Sequence, residues 1–266
     1  MKILNGRELA EYIMERQASA VRNLRQASKV QPKLAIIRTN PDPVVDSYMR
    51  IKQNYGSDIG VTVEVFDIPQ TEALATIAKL NSDPLVHGII VQIPLPSVAQ
   101  TDEVLNSVAP NKDVDGLGAL TLFDPATPLA ISWLLAGYNI EIKNKHIVIV
   151  GHGRLVGRPL AKLWQSSNYD VEIVDKSTPD LAKSVMGADV LVCATGVAAL
   201  ITADMVKPNA VIVDAGVATD NNGLVGDVAA NVRALKNITI TPEKGGVGPL
   251  TVCALFENVI TSARQS

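Results

Sequence analysis

The sequence predicts an α/β protein of two lobes, each built on a mostly parallel sheet. Short β-branched apolar runs alternate with helical patterns along the whole chain. The runs lack the in/out alternation of half-solvated strands, as sheets covered on both faces require. A breaker-rich stretch near the middle divides this rhythm in two, and 266 residues fit about two domains at roughly 150 residues each. With 47% hydrophobic and 19% charged residues, there is enough apolar side chain for two cores.

The elements follow in order. A helical pattern over Gly6–Ala27 precedes the strand-like run Lys33–Ile37. The helix Asp46–Ile59 then leads to Val61–Ile68, and the helix Thr71–Leu80 to Gly88–Gln92. Asp124-Pro125-Ala126-Thr127-Pro128 supplies the breakers, so the boundary is expected between Gly116 and Lys145. The helix Leu129–Tyr138 is expected to bridge the lobes. In the second half His146–Val150, Val171–Asp175, Asp189–Cys193 and Ala210–Asp214 are strand-like, with helices between. A final helix, Pro249–Ala263, begins just after Gly245-Gly246-Val247-Gly248. Ligands of open α/β sheets bind beyond the carboxyl ends of the strands, so two such lobes facing one another would enclose an active site.

Charge and composition exclude several classes. Lys+Arg 24 against Asp+Glu 27 gives a net charge of −3, and the cations are scattered, which leaves no footprint for nucleic acid. Cys193 and Cys253 lie inside apolar runs and read as reduced packing residues. His87, His146 and His152 are isolated, so no metal site is expected. The N-terminus reaches a turn signal after two apolar residues, unlike a signal peptide, and no apolar run approaches the roughly 20 residues that span a bilayer. The expectation is a soluble, cytoplasmic protein without a membrane partner.

The strongest local motif is His146-Ile-Val-Ile-Val150 running into Gly151-His152-Gly153-Arg154-Leu155-Val156-Gly157. A buried strand, a glycine turn and a helix form a dinucleotide fingerprint, in which backbone approaches a pyrophosphate at a helix N-terminus. The second lobe is therefore read as a Rossmann-type dinucleotide-binding domain. The spacing G-x-G-x-x-x-G is one residue longer than the strict form. Asp175, 24 residues after Gly151, stands where an acid would bond a ribose 2′-hydroxyl and repel a 2′-phosphate. Lys176, Arg154 and Arg158 would favour that phosphate, so the signals conflict; all four charges also suit a solvated surface.

Three further segments stand out in the first lobe. Tyr48 and Lys52 share one helix face, where a phenol beside an ammonium could act as an acid/base pair. From spacing alone, an ordinary amphipathic surface is the better account. Ile90–Pro96 presents Gln92 at a strand end, because the prolines that follow forbid further pairing. Pro110–Gly116 crowds Lys112, Asp113 and Asp115 around one Val, which by residue type reads first as a solvated loop.

Together these segments resemble the bifunctional methylenetetrahydrofolate dehydrogenase/methenyltetrahydrofolate cyclohydrolase family. The matching pieces are Tyr48-x-x-x-Lys52, Val91–Pro96, Lys112–Gly116, Pro125–Pro128, the Gly151 turn, Gly226-Asp227-Val228 and Gly245-Gly246-Val247-Gly248-Pro249-Leu250-Thr251, in the family's order across nearly the full chain. The resemblance implies oxidation of 5,10-methylenetetrahydrofolate with NAD(P), then hydrolysis to 10-formyltetrahydrofolate, within one-carbon metabolism and purine biosynthesis. It implies Lys52 as the acid/base of hydrolysis, Tyr48 stacking near the folate, and Gln92 tuning Lys52. Asp115 would hold the amino-pyrimidine edge, with Gly246, Pro249 and Thr251 as further substrate contacts. Gly151, His152, Gly153, Val156, Gly157, Asp175, Lys176 and Gly216 would bind the cofactor. The implied domains are a folate-binding catalytic domain at 1–128, joined by the C-terminal helix 249–266, and the NAD(P) domain at 129–248. A homodimer is the implied assembly.

The chain also departs from that pattern. The loop between Gly116 and Pro125 is shorter than is usual, Ala126 and Val45 replace Cys and Ser, and Glu243-Lys244 replaces Val-Pro. His152 stands where users of the phosphorylated cofactor often carry Arg, whereas Lys176 suits a 2′-phosphate; the balance tips slightly to NADP over NAD. A dehydrogenase lacking the hydrolytic step and a non-catalytic dinucleotide-binding protein are the competing readings. Intact Tyr48, Lys52 and Gln92 weigh against the first.

Overall fold

A computed structural model describes residues 1–220 and 223–265, without the side chains of Pro43, Val44, Thr219, Asp220 and Leu224. Residue 266, the end of the expected 249–266 segment, lies outside the described residues. In chain order the elements are β1 (Lys2–Ile3), α1 (Gly6–Asn23), β2 (Lys33–Arg38), α2 (Pro43–Ile59), β3 (Thr62–Asp67), α3 (Ala73–Ser82), β4 (Gly88–Gln92) and α4 (Thr101–Asn106). There follow α5 (Ala126–Gly137), β5 (Ile147–Val150), α6 (Gly157–Ser166), β6 (Val171–Val174), α7 (Leu181–Met186), β7 (Val190–Cys193) and β8 (Val211–Asp214). The chain ends with β9 (Ala218–Asp220), β10 (Gly223–Val225), β11 (Thr239–Ile240) and α8 (Val247–Gln265).

The chain forms two compact units. One comprises Glu11–Ala126 and Val252–Ser266. Its sheet is parallel, in the order β3-β2-β4, with Arg38 of β2 level with Gln92 of β4. The apolar runs of β2 and β4 place Ala35, Ile37, Ile89 and Val91 in a core with Ile77 and Leu80 of α3. Helix α2 opens on Pro43, where a missing N–H costs nothing, and Asp42 Oδ1 accepts the Val45 N–H at 3.2 Å. Gly60, with φ +84°, ends that helix in the left-handed conformation glycine tolerates.

The other unit comprises Met1–Ala10 and Thr127–Thr251. Its sheet has the order β1-β11-β8-β7-β5-β6, and every pairing is parallel. The order reverses between β5 and β7, the point at which doubly wound sheets open a crevice for ligand. Val148, Val150, Leu191 and Ile212 fill the core on one face. The first strand of the chain belongs to this sheet: Lys2 and Ile3 pair with Thr239 and Ile240. Residues 1–10 thus pack with the unit that carries the glycine turn, whereas the sequence reading placed them at the start of the first domain.

The seven expected strands are present to within two residues at each end. Four others, β1, β9, β10 and β11, are two or three residues long, too short for an apolar pattern to mark them. The expected helix over Gly6–Ala27 ends its α-helical part at Asn23 and continues as a π-turn over Leu24–Ser28, closed by Lys29 at φ +59°. Both α5 and α8 begin a few residues before the expected starts, because Pro128 and Pro249 fit within a first helical turn.

Candidate active site

In the first unit the carboxyl end of β4 meets α2. Lys52 Nζ donates to Gln92 Oε1 at 3.0 Å, and Gln92 Nε2 donates to the Ile93 carbonyl at 3.3 Å, which fixes the amide. Burial pulls the Lys52 ammonium below its ordinary range; the Asp115 carboxylate pulls the other way and is the smaller effect. Asp115 is pushed up by burial, against the opposing pull of Lys52, and Asp113 pushes it further up. One turn back along α2, Tyr48 is 39% exposed. The structure therefore gathers Lys52, Gln92 and Asp115 in one cluster, with Tyr48 on the same helix.

The segment carrying Asp115 is built into the fold. Lys112 Nζ donates to the carbonyls of Leu80, Asn81 and Asp83 at 3.0, 2.9 and 2.6 Å, capping the end of α3. Asp113, 4% exposed, accepts the Gly118 N–H at 2.8 Å and the Leu117 N–H at 3.5 Å. From α8, Asn258 Nδ2 donates to the carbonyls of Val114 and Asp124, and Ser262 Oγ to that of Asn111. The solvated loop that residue types favoured does not hold for Asp113 and Val114. Desolvation is tolerated because backbone donors meet the carboxylate and Val114 packs against Gly88. Sequence reasoning missed Asn258 and the division of labour between the acids. A lone Asn within the apolar run of α8 was the available signal.

In the second unit the glycine turn has a different requirement at each glycine. Gly151 has φ +102°, and a side chain there would meet the Ala194 carbonyl oxygen at 2.5 Å. A Cβ on Gly157 would overlap the Gly151 carbonyl. Gly153 faces open space, with no atom within 4 Å of where its Cβ would stand. Val156 caps α6 and accepts the Leu160 N–H at 2.9 Å. The turn thus leaves bare backbone and room at its centre, as a bound pyrophosphate needs. Ser177 N and Oγ both donate to Asp175 Oδ1, at 2.8 and 2.6 Å. These bonds, with smaller pulls from His152 and Lys176, hold the Asp175 carboxyl below its ordinary range.

The remaining expected residues lie in this unit too. Gly216 follows β8, and a Cβ there would overlap the Asp227 carboxylate. Gly246 is buried against Thr241, where a Cβ would stand 3.0 Å from the Thr241 side chain, and Gly6 packs so closely on the Gly246 carbonyl that a Cβ on Gly6 would overlap it. Pro249 and Thr251 sit in the first turns of α8, where Thr251 Oγ1 bonds Thr127 Oγ1 at 3.4 Å. Cys193 and Cys253 are buried and form no disulfide, and Tyr55 Oη donates to Cys253 Sγ at 3.2 Å. Among the described residues no group of three or more His, Cys, Asp or Glu could hold a metal, and no helix is long and apolar enough to cross a membrane.

Residues 4–115 match the catalytic domain of tetrahydrofolate dehydrogenase/cyclohydrolase, and residues 125–266 match its NAD(P)-binding domain. The chain belongs to the tetrahydrofolate dehydrogenase/cyclohydrolase family. The bifunctional protein FolD of Methanosarcina mazei is 39% identical over 278 aligned positions, covering 100% of this chain and 97% of that protein. The crystal structure of the bifunctional FolD methylenetetrahydrofolate dehydrogenase/cyclohydrolase from Campylobacter jejuni superimposes with a TM-score of 0.94 at 34% identity, covering 100% of this chain and 99% of that one. The Trypanosoma brucei family member, solved with NADP and an inhibitor, has a TM-score of 0.92 at 29% identity and covers 99% and 97%.

Proposed function

We propose that the protein works through Lys52, Gln92 and Asp115 on a folate held in the first unit, with NAD(P) at the glycine turn of the second. It is a bifunctional enzyme that oxidises 5,10-methylenetetrahydrofolate and hydrolyses the methenyl product to 10-formyltetrahydrofolate. The observation that carries the residue assignment is the Lys52–Gln92 hydrogen bond beside Asp115, with the lysine depressed by burial.

The carboxylate of Asp115 accepts two parallel N–H bonds from the amino-pyrimidine edge, and the ring of Tyr48 supplies an apolar face beside it. Gln92 Oε1 takes one Lys52 N–H and so directs the amine lone pair. A cationic methenyl group disfavours an ammonium nearby, so Lys52 is neutral when this substrate is bound. Lys52 then takes a proton from the water whose oxygen bonds to the methenyl carbon. The resulting ammonium returns that proton to N5 as the carbon–N5 bond breaks, and the second water proton leaves to solvent as the formyl carbonyl forms. Gly246, Pro249 and Thr251 are further folate contacts.

Bound NAD(P) supplies the acceptor for the hydride lost by the methylene carbon. Gly151, His152, Gly153, Val156, Gly157, Lys176 and Gly216 hold the dinucleotide, and no protein acid is required beyond positioning. The preferred cofactor is NADP. Lys176 supports this preference: it lies near enough to Asp175 to offset the charge by which that carboxylate would repel a 2′-phosphate, and one Asp175 oxygen is already engaged by Ser177. The T. brucei relative binds NADP. The same reading makes the protein a cytoplasmic homodimer that feeds purine biosynthesis and takes neither nucleic acid nor membrane, in keeping with its scattered charge.

Following reduced cofactor and methenyl absorbance together tests this. Wild type turns over without methenyl accumulation, and faster with NADP than NAD. Lys52→Met keeps oxidation but accumulates the methenyl product, its hydrolysis slowed at least ~100-fold. Undiminished hydrolysis in Lys52→Met removes Lys52 from the chemistry.

A further inference from the structure

A second group of buried acids lies at the carboxyl ends of β7 and β8, outside the Lys52 cluster. Asp227 is fully buried. Its Oδ2 accepts both the backbone N–H of Thr195, at 2.6 Å, and the Thr195 hydroxyl, at 2.9 Å. The Thr195 oxygen in turn accepts the Val197 N–H at 3.1 Å, so the turn after β7 hangs from one carboxylate through two linked bonds. Asp227 Oδ1 has no hydrogen-bond partner and lies against the bare Cα of Gly216, in the turn after β8.

Asp214 completes the arrangement. Its Oδ1 accepts the N–H groups of Asp227 and Gly216 at 3.0 and 3.3 Å; its Oδ2 accepts those of Val228 at 3.2 Å and Arg233 at 3.4 Å. Two carboxylates therefore tie together three loops, 195–197, 214–217 and 226–228. Those after β7 and β8 end in exposed apolar side chains, Val197 and Val217. Gly196, at φ +70°, brings these two loops together: a Cβ on it would stand 3.3 Å from the Val217 carbonyl oxygen.

We propose that Asp227 is a positioning residue for nicotinamide dinucleotide binding: through Thr195 and Gly216 it sets the two loops that bracket the cofactor's ring end. The proposal rests on the reading of this unit as the NAD(P) site. Buried acids are costly, and these two are held by donors drawn from three separate loops. The pair fixes backbone at the carboxyl ends of two adjacent strands, where a doubly wound sheet receives its ligand. Gly246, Pro249 and Thr251, read above as folate contacts, belong to the same compact unit as Asp227, and hydrolysis of methenyltetrahydrofolate consumes no dinucleotide, so it reports the folding of this unit independently of cofactor affinity.

Calorimetric titration of the full-length protein with NADP, with hydrolysis assayed on the same preparations, tests it. Asp227→Asn and Thr195→Val should each weaken NADP binding roughly tenfold or more, the scale of losing a charged hydrogen bond. Hydrolysis should persist, and Thr195→Ser, which keeps the hydroxyl, should bind like wild type. Unchanged affinity in Thr195→Val overturns the proposal, as does equal weakening in Thr195→Ser. If Asp227→Asn loses hydrolysis and binding together, that variant has misfolded and the Thr195 pair decides. A wild type that binds neither NADP nor NAD overturns the underlying reading as well.

Discussion

Asp113 with Asp115, and Asp214 with Asp227, are two pairs of acids beside parallel strands, and they are treated differently. In the second pair backbone N–H groups meet both carboxylates, and burial raises the Asp214 carboxyl despite those donors. In the first pair only Asp113 is met in this way; the field on Asp115 comes chiefly from burial and from Lys52. A buried carboxylate held by backbone donors fixes loops. One set opposite a depressed ammonium is available to ligand and proton.

Separating Asp113 from Asp115 is the largest test of this difference. Asp113→Ala leaves the Gly118 and Leu117 N–H groups without their acceptor and should cost about 1–3 kcal/mol of stability, read by urea unfolding. Asp115→Ala should leave the unfolding midpoint nearly unchanged while raising KM for folate in both reactions. If the two variants behave alike, the distinction fails. In the second unit, Gly216→Ala drives a methyl into the Asp227 carboxylate and should lower stability by about 1–3 kcal/mol as well as NADP affinity. Gly153→Ala meets open space, so its thermal unfolding should match wild type while NADP binding weakens.

How much of this was legible in the sequence follows from the same physics. Strands such as β4, β5 and β7 announced themselves because burial on both faces demands continuous apolar runs; β3, at the edge of its sheet, departs from that expectation and alternates exposed with half-buried residues. The glycines of 151–157 stood out because conformations and clearances that exclude side chains leave a compositional mark. Neither β1 nor β11 did, since two residues carry no period. The charges of Lys112–Asp115 looked like a solvated turn because residue type does not reveal which acid will meet backbone donors; that depends on Gly118, Leu80 and Asn258, contributed by other segments. Asp227 was visible only as part of a motif. Its partners Thr195 and Gly216 lie 32 and 11 residues away in sequence, and no local pattern links them.

The smallest expected effect is also the most specific. On the proposed assignment hydrolysis needs Lys52 neutral, so its kcat should rise with pH as that amine loses its proton. Burial places this rise below the ordinary lysine range, near 10.4 for an unperturbed side chain. The Asp115 carboxylate favours the ammonium and so holds the rise at higher pH than burial alone would. Asp115→Asn removes that pull while keeping the side chain's size. At saturating methenyltetrahydrofolate, with the uncatalysed rate subtracted, its kcat–pH curve should move toward lower pH. A shift toward higher pH would mean that Asp115 does not act on Lys52 through its charge. No shift would mean that substrate, by engaging the carboxylate with its own N–H groups, has already cancelled that pull. Comparing the kcat/KM and kcat curves of Asp115→Asn with those of wild type separates these cases, because the first reports Lys52 in the free enzyme and the second in the complex. If substrate cancels the pull, Asp115→Asn should move the kcat/KM curve toward lower pH while leaving the kcat curve in place.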